Sequence, residues 1–229
     1  PSATPGRLAP VRAPPQVKKA KKSLAKPWLL VTGQPGSGKT TLVRTVASAL
    51  ARRARLRVWG FITEEVLDGS GRRLGFDVVT LPEGRRGVLS RKGGPPEQPR
   101  VGSYSVDVAS FERLALPPLE RAASSASPSV VVVVDEIGRM ELHSERFKVA
   151  IGALLRARRR VFGAITAPIY GHRVPFCDGI TANARAVSVH HITKSNRGDV
   201  RKEVEDVLVE AWRLGRCLGP PRKRKKKKK

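Results

Sequence analysis

Gly33-Gln34-Pro35-Gly36-Ser37-Gly38-Lys39-Thr40 is the stretch that decides how the rest of the chain is read. Its spacing is G-x-x-x-x-G-K-[ST], the pattern of a phosphate-binding loop. It follows a short apolar run, Trp28–Thr32, and opens a segment of helical periodicity from about Lys39 to Arg53. That strand–loop–helix context is the one the motif needs. The glycines let the backbone curl so that its N–H groups point inward, and the helix N-terminus adds its positive end. Lys39 then reaches the β- and γ-phosphates of a nucleotide, and the Thr40 hydroxyl ligates Mg²⁺. The candidate nucleotide-binding residues are Gly33, Gln34, Pro35, Gly36, Ser37, Gly38, Lys39, Thr40 and Thr41. The plainer alternative is a glycine-rich connector with an incidental lysine.

Working outward, the next signal is the five-valine run Val130–Val134 followed by Asp135-Glu136. An uninterrupted apolar run of this length reads as a strand buried on both faces. Carboxylates at its C-terminal end fall where open α/β sheets bind ligands. Asp135 is the expected metal partner beside Thr40, acting through a water, and Glu136 is the expected group that orients or deprotonates an attacking water. Without the loop at Gly33–Thr40, the same pair would read equally well as a cap on the next turn.

Strand and helix patterns alternate through the body. Strands are expected at Arg57–Thr63, Val161–Ile165 and Val187–Ile192, with helices at Phe111–Ala123, Glu145–Arg158 and Asp199–Leu214. Between them lies a stretch dense in glycine, with strand-like pieces at Phe76–Leu81, Val88–Arg91 and Tyr104–Val108, which reads as an antiparallel hairpin insert. The expected fold is therefore α/β, a P-loop NTPase fold with a mostly parallel sheet, helices on both faces and that insert. The expected domain spans residues 27–216, between a disordered basic arm at 1–26 and a poly-basic tail at 217–229.

Charge is concentrated in the arms. The chain of 229 residues carries 45 Lys+Arg and 19 Asp+Glu, a formal charge of +26. Residues 1–26 and 222–229 hold fifteen basic residues and no acid, which leaves a moderately basic body. The arms fit nuclear import, nucleic-acid contact without sequence preference, or a solvated tail with no partner. The acid-free leader also admits an organelle transit peptide, although its prolines oppose the helix such peptides form. The chain starts at Pro1 with its one methionine at Met140, so a piece or processed form of a longer reading frame is expected. No apolar run is long enough to cross a bilayer, so no membrane partner is expected. Two cysteines without metal or disulfide spacing, Cys177 and Cys217, suit a reducing intracellular compartment, cytoplasmic or nuclear. The four histidines show no triad or metal spacing.

Beyond the loop, several further stretches resemble the cancer-related nucleoside-triphosphatase family of small P-loop enzymes. They are Gly60-Phe61-Ile62-Thr63-Glu64-Glu65, Arg72–Leu81, Val101-Gly102-Ser103-Tyr104 with Phe111-Glu112, Asp135–Leu142, and Ile192-Thr193-Lys194-Ser195-Asn196-Arg197. The resemblance covers about residues 27–214 and leaves out both arms and the Tyr170–Arg185 stretch. It implies Mg²⁺-dependent hydrolysis of ATP, GTP, CTP and UTP to diphosphate and phosphate, with weak base selectivity. It also implies that Arg197 stabilises charge developing on the γ-phosphate, the other reading being a surface arginine near a helix start. Of Glu64 and Glu65, one is expected to face the site.

The catalytic candidates are thus Glu136, Lys39 and Arg197, and the metal candidates are Thr40 and Asp135. One rival reading is a small kinase acting on a nucleoside, nucleotide or RNA end, for which basic Arg156–Arg160 offers a lid. Its apolar spacing, however, reads better as a helix end. Another rival is an NTP-switched nucleic-acid-associated protein whose arms do the binding.

Overall fold

The computed structural model describes residues 26–52, 56–166 and 173–213. The expectations for the two arms, for Cys217 and His172, and for part of Tyr170–Arg185 lie outside these residues.

The opening strand β1 (Trp28–Thr32) feeds the glycine-rich loop and helix α1 (Lys39–Ala51). Strand β2 (Arg57–Leu67) leads into β3 (Arg73–Leu81), β4 (Arg86–Lys92), β5 (Arg100–Val101) and β6 (Tyr104–Val106). Helix α2 (Val108–Ser124), strand β7 (Val130–Ile137), helix α3 (Glu145–Arg156), strand β8 (Arg160–Ile165), helix α4 (Pro175–Thr181), strand β9 (Val187–His191) and helix α5 (Arg197–Arg213) follow.

The nine strands of the described residues join one sheet in the order β5-β6-β4-β3-β2-β7-β8-β1-β9. The β2-β7-β8-β1-β9 half is parallel, and the strands beyond β2 are antiparallel. The hairpin anticipated from the glycine-rich stretch is therefore continuous with the main sheet rather than set apart from it. The physical link is β2, which runs four residues past its expected end at Thr63. Its first half pairs with β7 in parallel, and from Gly60 to Leu67 it pairs antiparallel with β3.

The valine run behaves as a central strand must. Val130, Val132 and Val134 join the core beneath α2 and α3, while Val131 and Val133 join the core beneath α1 and α5. On the α2/α3 side, Phe61, Phe111 and Phe147 meet edge to face with centroids 5.2–6.0 Å apart. Both helices there have side-chain N-caps. Asp107 accepts from the Ser110 amide at 2.8 Å and Ser144 from the Phe147 amide at 2.9 Å. The short helix α4 was not anticipated; it packs Cys177 and Ile180 into the same core.

Among the described residues no helix is long and apolar enough to cross a membrane. Arg160 starts β8 beside Trp28, where Trp28 pairs with Val161, so the Arg156–Arg160 stretch lies at the sheet end opposite the phosphate loop. It ends a helix, as its spacing suggested, and is too distant to serve as a lid.

Candidate functional site

The loop between β1 and α1 owes its shape to two glycines. Gly38 has φ +100, a conformation that side-chain-bearing residues adopt at a cost, and it caps α1. Gly33 sits so close to the strand-to-helix segment after β9 that a Cβ there would lie 2.3 Å from the Ile192 carbonyl oxygen. That segment is itself pinned, since the Ile192 amide donates to the Thr32 carbonyl at 2.7 Å. A turn closed by the Ser37 amide and the Gln34 carbonyl at 3.1 Å carries the chain between the glycines. Gln34, Pro35 and Gly36 are exposed on it, and Thr41 is exposed at the start of α1.

Lys39 folds back over this loop. Its ammonium donates to the Gly33 carbonyl at 3.0 Å and lies 3.8 Å from Glu136 Oε2. The Thr40 hydroxyl donates to Asp135 Oδ1 at 3.3 Å. The five residues singled out as phosphate, metal and water ligands therefore split into four that the sheet brings together and one that approaches from outside. Lys39, Thr40, Asp135 and Glu136 form the cluster. Arg197 is exposed at the start of α5, and a Cβ on Gly38 would lie 3.5 Å from its Cδ and 3.7 Å from a guanidinium nitrogen. Its guanidinium thus borders the loop without joining the acid pair.

Asp135 is fully buried. Its partners are hydroxyls and an amide: Thr40 on Oδ1, and the Thr63 hydroxyl at 3.2 Å and amide at 3.4 Å on Oδ2. Among the described residues no lysine or arginine pairs with it. Burial pushes its carboxyl up to about 7, and the neighbouring Glu136 charge pushes in the same direction. A buried carboxylate with a hydroxyl at its side and no cation is a donor set that suits a hard, oxygen-preferring divalent metal. Ser37 fits the loop's expected ligand in a similar way, since its hydroxyl is buried with no hydrogen-bond partner among the described residues.

Glu136 is held from its other side. The Thr166 hydroxyl donates to Glu136 Oε1 at 2.7 Å. Glu141, in a short 3₁₀ turn at Glu141–His143, is buried below, and burial reinforced by Glu136 pushes its carboxyl up to about 8. Thr63, Thr166 and Glu141 were not among the candidates. Thr63 and Glu141 do lie within stretches that carry the family resemblance, and each threonine follows an apolar run toward the side of the sheet where ligands bind. Neither acid expected after the second strand reaches the cluster. Thr63 occupies the face toward Asp135, Glu64 pairs with Arg44 and Arg86, and Glu65 pairs with Arg73. Of the histidines, His190 lies 3.3 Å from the Ser188 hydroxyl and 3.5 Å from Glu203.

A glycine-rich loop that opens a helix, a lysine folded over it, and acids at the end of a buried strand two places away in the sheet together define a P-loop protein that binds nucleoside triphosphates. Sequence comparison narrows the class. A family model described as NTPase matches residues 28–205. The chain is 43% identical over 182 residues to the cancer-related nucleoside-triphosphatase of Homo sapiens, covering 77% of this chain and 93% of that one. It is 33% identical over 180 residues to the nucleoside-triphosphatase THEP1 of Thermotoga maritima, covering 79% and 94%. In three dimensions it resembles the solution structure of a human cancer-related nucleoside triphosphatase, with TM-score 0.67 and 41% identity over 83% of this chain and 99% of that one. The crystal structure of THEP1 from Aquifex aeolicus gives TM-score 0.67 at 33% identity, over 79% and 98%. The chain belongs to the cancer-related nucleoside-triphosphatase family.

Proposed function

We propose that this protein hydrolyses nucleoside triphosphates to the diphosphate and phosphate, with Mg²⁺ as the metal and little selection among bases. The observation that carries the reading is the pairing of Glu136 with Lys39, 3.8 Å apart. It puts a carboxylate able to take a proton next to the ammonium that grips the γ-phosphate end. The backbone N–H groups between Gly33 and Thr40, where Pro35 supplies none, and the Lys39 ammonium bind the triphosphate. Glu136 orients a water and accepts its proton as the water oxygen bonds to the γ-phosphorus and the β–γ bridging bond breaks. The leaving electron pair stays on the diphosphate. Arg197, next to Gly38, offsets charge developing on the transferred group. Thr40 and Asp135 would hold the Mg²⁺, whose charge would neutralise phosphate oxygens. Base selectivity is low in this reading because every contact named goes to phosphate or metal.

The kinase alternative finds no support in Arg156–Arg160, which lies at the wrong end of the sheet. The stretch between β2 and α2 is hairpin rather than helical lid. The basic arms serve, in this proposal, as a salt-sensitive contact for nucleic acid that chemistry does not need. Its support is charge alone, and DNA binding that persists at high salt would remove it. The test of the main reading is phosphate release from ATP, GTP, CTP and UTP with and without Mg²⁺. Comparable metal-dependent rates on all four are expected. Faster transfer of the γ-phosphoryl group to a nucleoside, nucleotide or 5′-hydroxyl RNA than to water would overturn it.

A further inference from the structure

Glu136 has two tethers among the described residues: the Lys39 ammonium near Oε2 and the Thr166 hydroxyl on Oε1. They do not survive nucleotide binding equally. A triphosphate in the loop draws the Lys39 ammonium to its β- and γ-oxygens and away from the carboxylate. Among the described residues, the threonine is then left to fix how Glu136 points.

The setting of Thr166 suits that task. It directly follows β8, and its amide donates to the Ile137 carbonyl at 3.1 Å, so the main chain is locked to β7 one residue past Glu136. Gly138 makes the space: a Cβ there would sit 3.2 Å from Thr166 Oγ1, 3.2 Å from Glu136 Cγ and 2.9 Å from Glu141 Oε2. The hydroxyl and the carboxylate therefore meet in a gap that a glycine leaves open. With Oε1 occupied by a donor, Oε2 is the oxygen turned toward the loop.

We propose that Thr166 is a positioning residue for hydrolysis, holding Glu136 Oε1 so that Oε2 faces the attacking water once Lys39 has turned to the phosphates. This rests on the reading of Glu136 as the water-activating group. Displacing a reacting group by about 1 Å can cost up to about 10²-fold in rate.

The test uses the full chain and steady-state phosphate release from ATP, with binding of a non-hydrolysable ATP analogue measured alongside. Thr166→Val, which keeps the shape and loses the donor, is expected to lower kcat about 10-fold or more while KM and analogue affinity stay within about 2-fold. Thr166→Ser, which keeps the hydroxyl, is expected to restore most of kcat. If Thr166→Val does not fold, Thr166→Ala compared with Thr166→Ser asks the same question. The double variant Thr166→Val with Glu136→Gln is expected to be no slower than Glu136→Gln alone, because the threonine acts through the glutamate. Normal kcat in Thr166→Val, equal loss in Thr166→Ser, or a loss confined to KM overturns the proposal. The two readings fail separately. Unchanged turnover in Glu136→Gln defeats the glutamate's role, whereas a slow Glu136→Gln beside a normal Thr166→Val defeats only the threonine's.

Discussion

Replacing Gly33 by alanine tests how tightly the phosphate loop is built into the fold. The added Cβ would meet the Ile192 carbonyl oxygen at 2.3 Å and Ser37 Oγ at 2.9 Å, where ordinary contact begins near 3.4 Å. Ser37 can rotate, but the carbonyl cannot. The Ile192 side chain is fully buried and its amide is bonded to Thr32, while the next amide, Thr193, donates to Asn196 Oδ1 at 2.7 Å. Something must therefore open by about 1 Å, and overpacking of this kind costs about 1–3 kcal/mol. For a domain of this size that lowers Tm by roughly 2–12 °C. The displaced parts are the Gly33 carbonyl that receives Lys39 and the segment leading to Arg197, so kcat/KM should drop about 10²-fold even well below the new Tm. Gly84→Ala, in the turn between β3 and β4, is the control. It has φ +69 with open space around its Cβ position, so it should pay only the left-handed backbone cost of about 1–2 kcal/mol and leave the phosphate loop in place. Thermal unfolding and phosphate release on both variants decide the matter. A Gly33→Ala protein with the kcat/KM of the Gly84→Ala control would refute the reasoning.

Three further outcomes follow from the site. Glu141 keeps its proton in the folded state to about pH 8, whereas unfolded it loses it near 4.5. Folding thus takes up a proton between those values, and stability falls as pH rises through that window, by at most about 1.4 kcal/mol per unit of difference. Glu141→Gln should match wild type in urea unfolding at pH 4 and exceed it at pH 8; parallel pH dependence in the two proteins would contradict this. Asp135→Asn should raise the Mg²⁺ concentration needed for half-maximal phosphate release by about 10-fold or more, read from a metal titration. Arg197→Ala should lower kcat by about 10² or more with nucleotide affinity nearly unchanged, since a guanidinium acting on developing charge matters mainly in the transition state.

The sequence carried the parts of this site that are local. The spacing within Gly33–Thr40 and the run from Val130 to Glu136 are each contiguous, so their chemistry and their place at strand ends can be read without knowing the sheet order. Thr63 and Thr166 are different. Each lies far along the chain from Asp135 and Glu136, and only the order β2-β7-β8 sets one on each side of the acid pair. The placing of Glu64 turned on the same point. Read as the end of a strand, it belongs near the metal. Because β2 continues into antiparallel pairing with β3, Glu64 lies beyond the last β2–β7 pair, Phe61 with Val134, and is taken up by Arg44 and Arg86, while Thr63 bonds Asp135. Arg197 was legible only as part of a resembling motif, since its approach to Gly38 depends on β9 lying beside β1.

The central claim is that Glu136, held between Lys39 and Thr166, takes the proton from the attacking water. Single-turnover phosphate release by Glu136→Gln, beside a binding titration with a non-hydrolysable analogue, tests it most directly. Nucleotide affinity should be unchanged and hydrolysis slowed by about 10²-fold or more. Release at the wild-type rate from a fully loaded Glu136→Gln protein would contradict it.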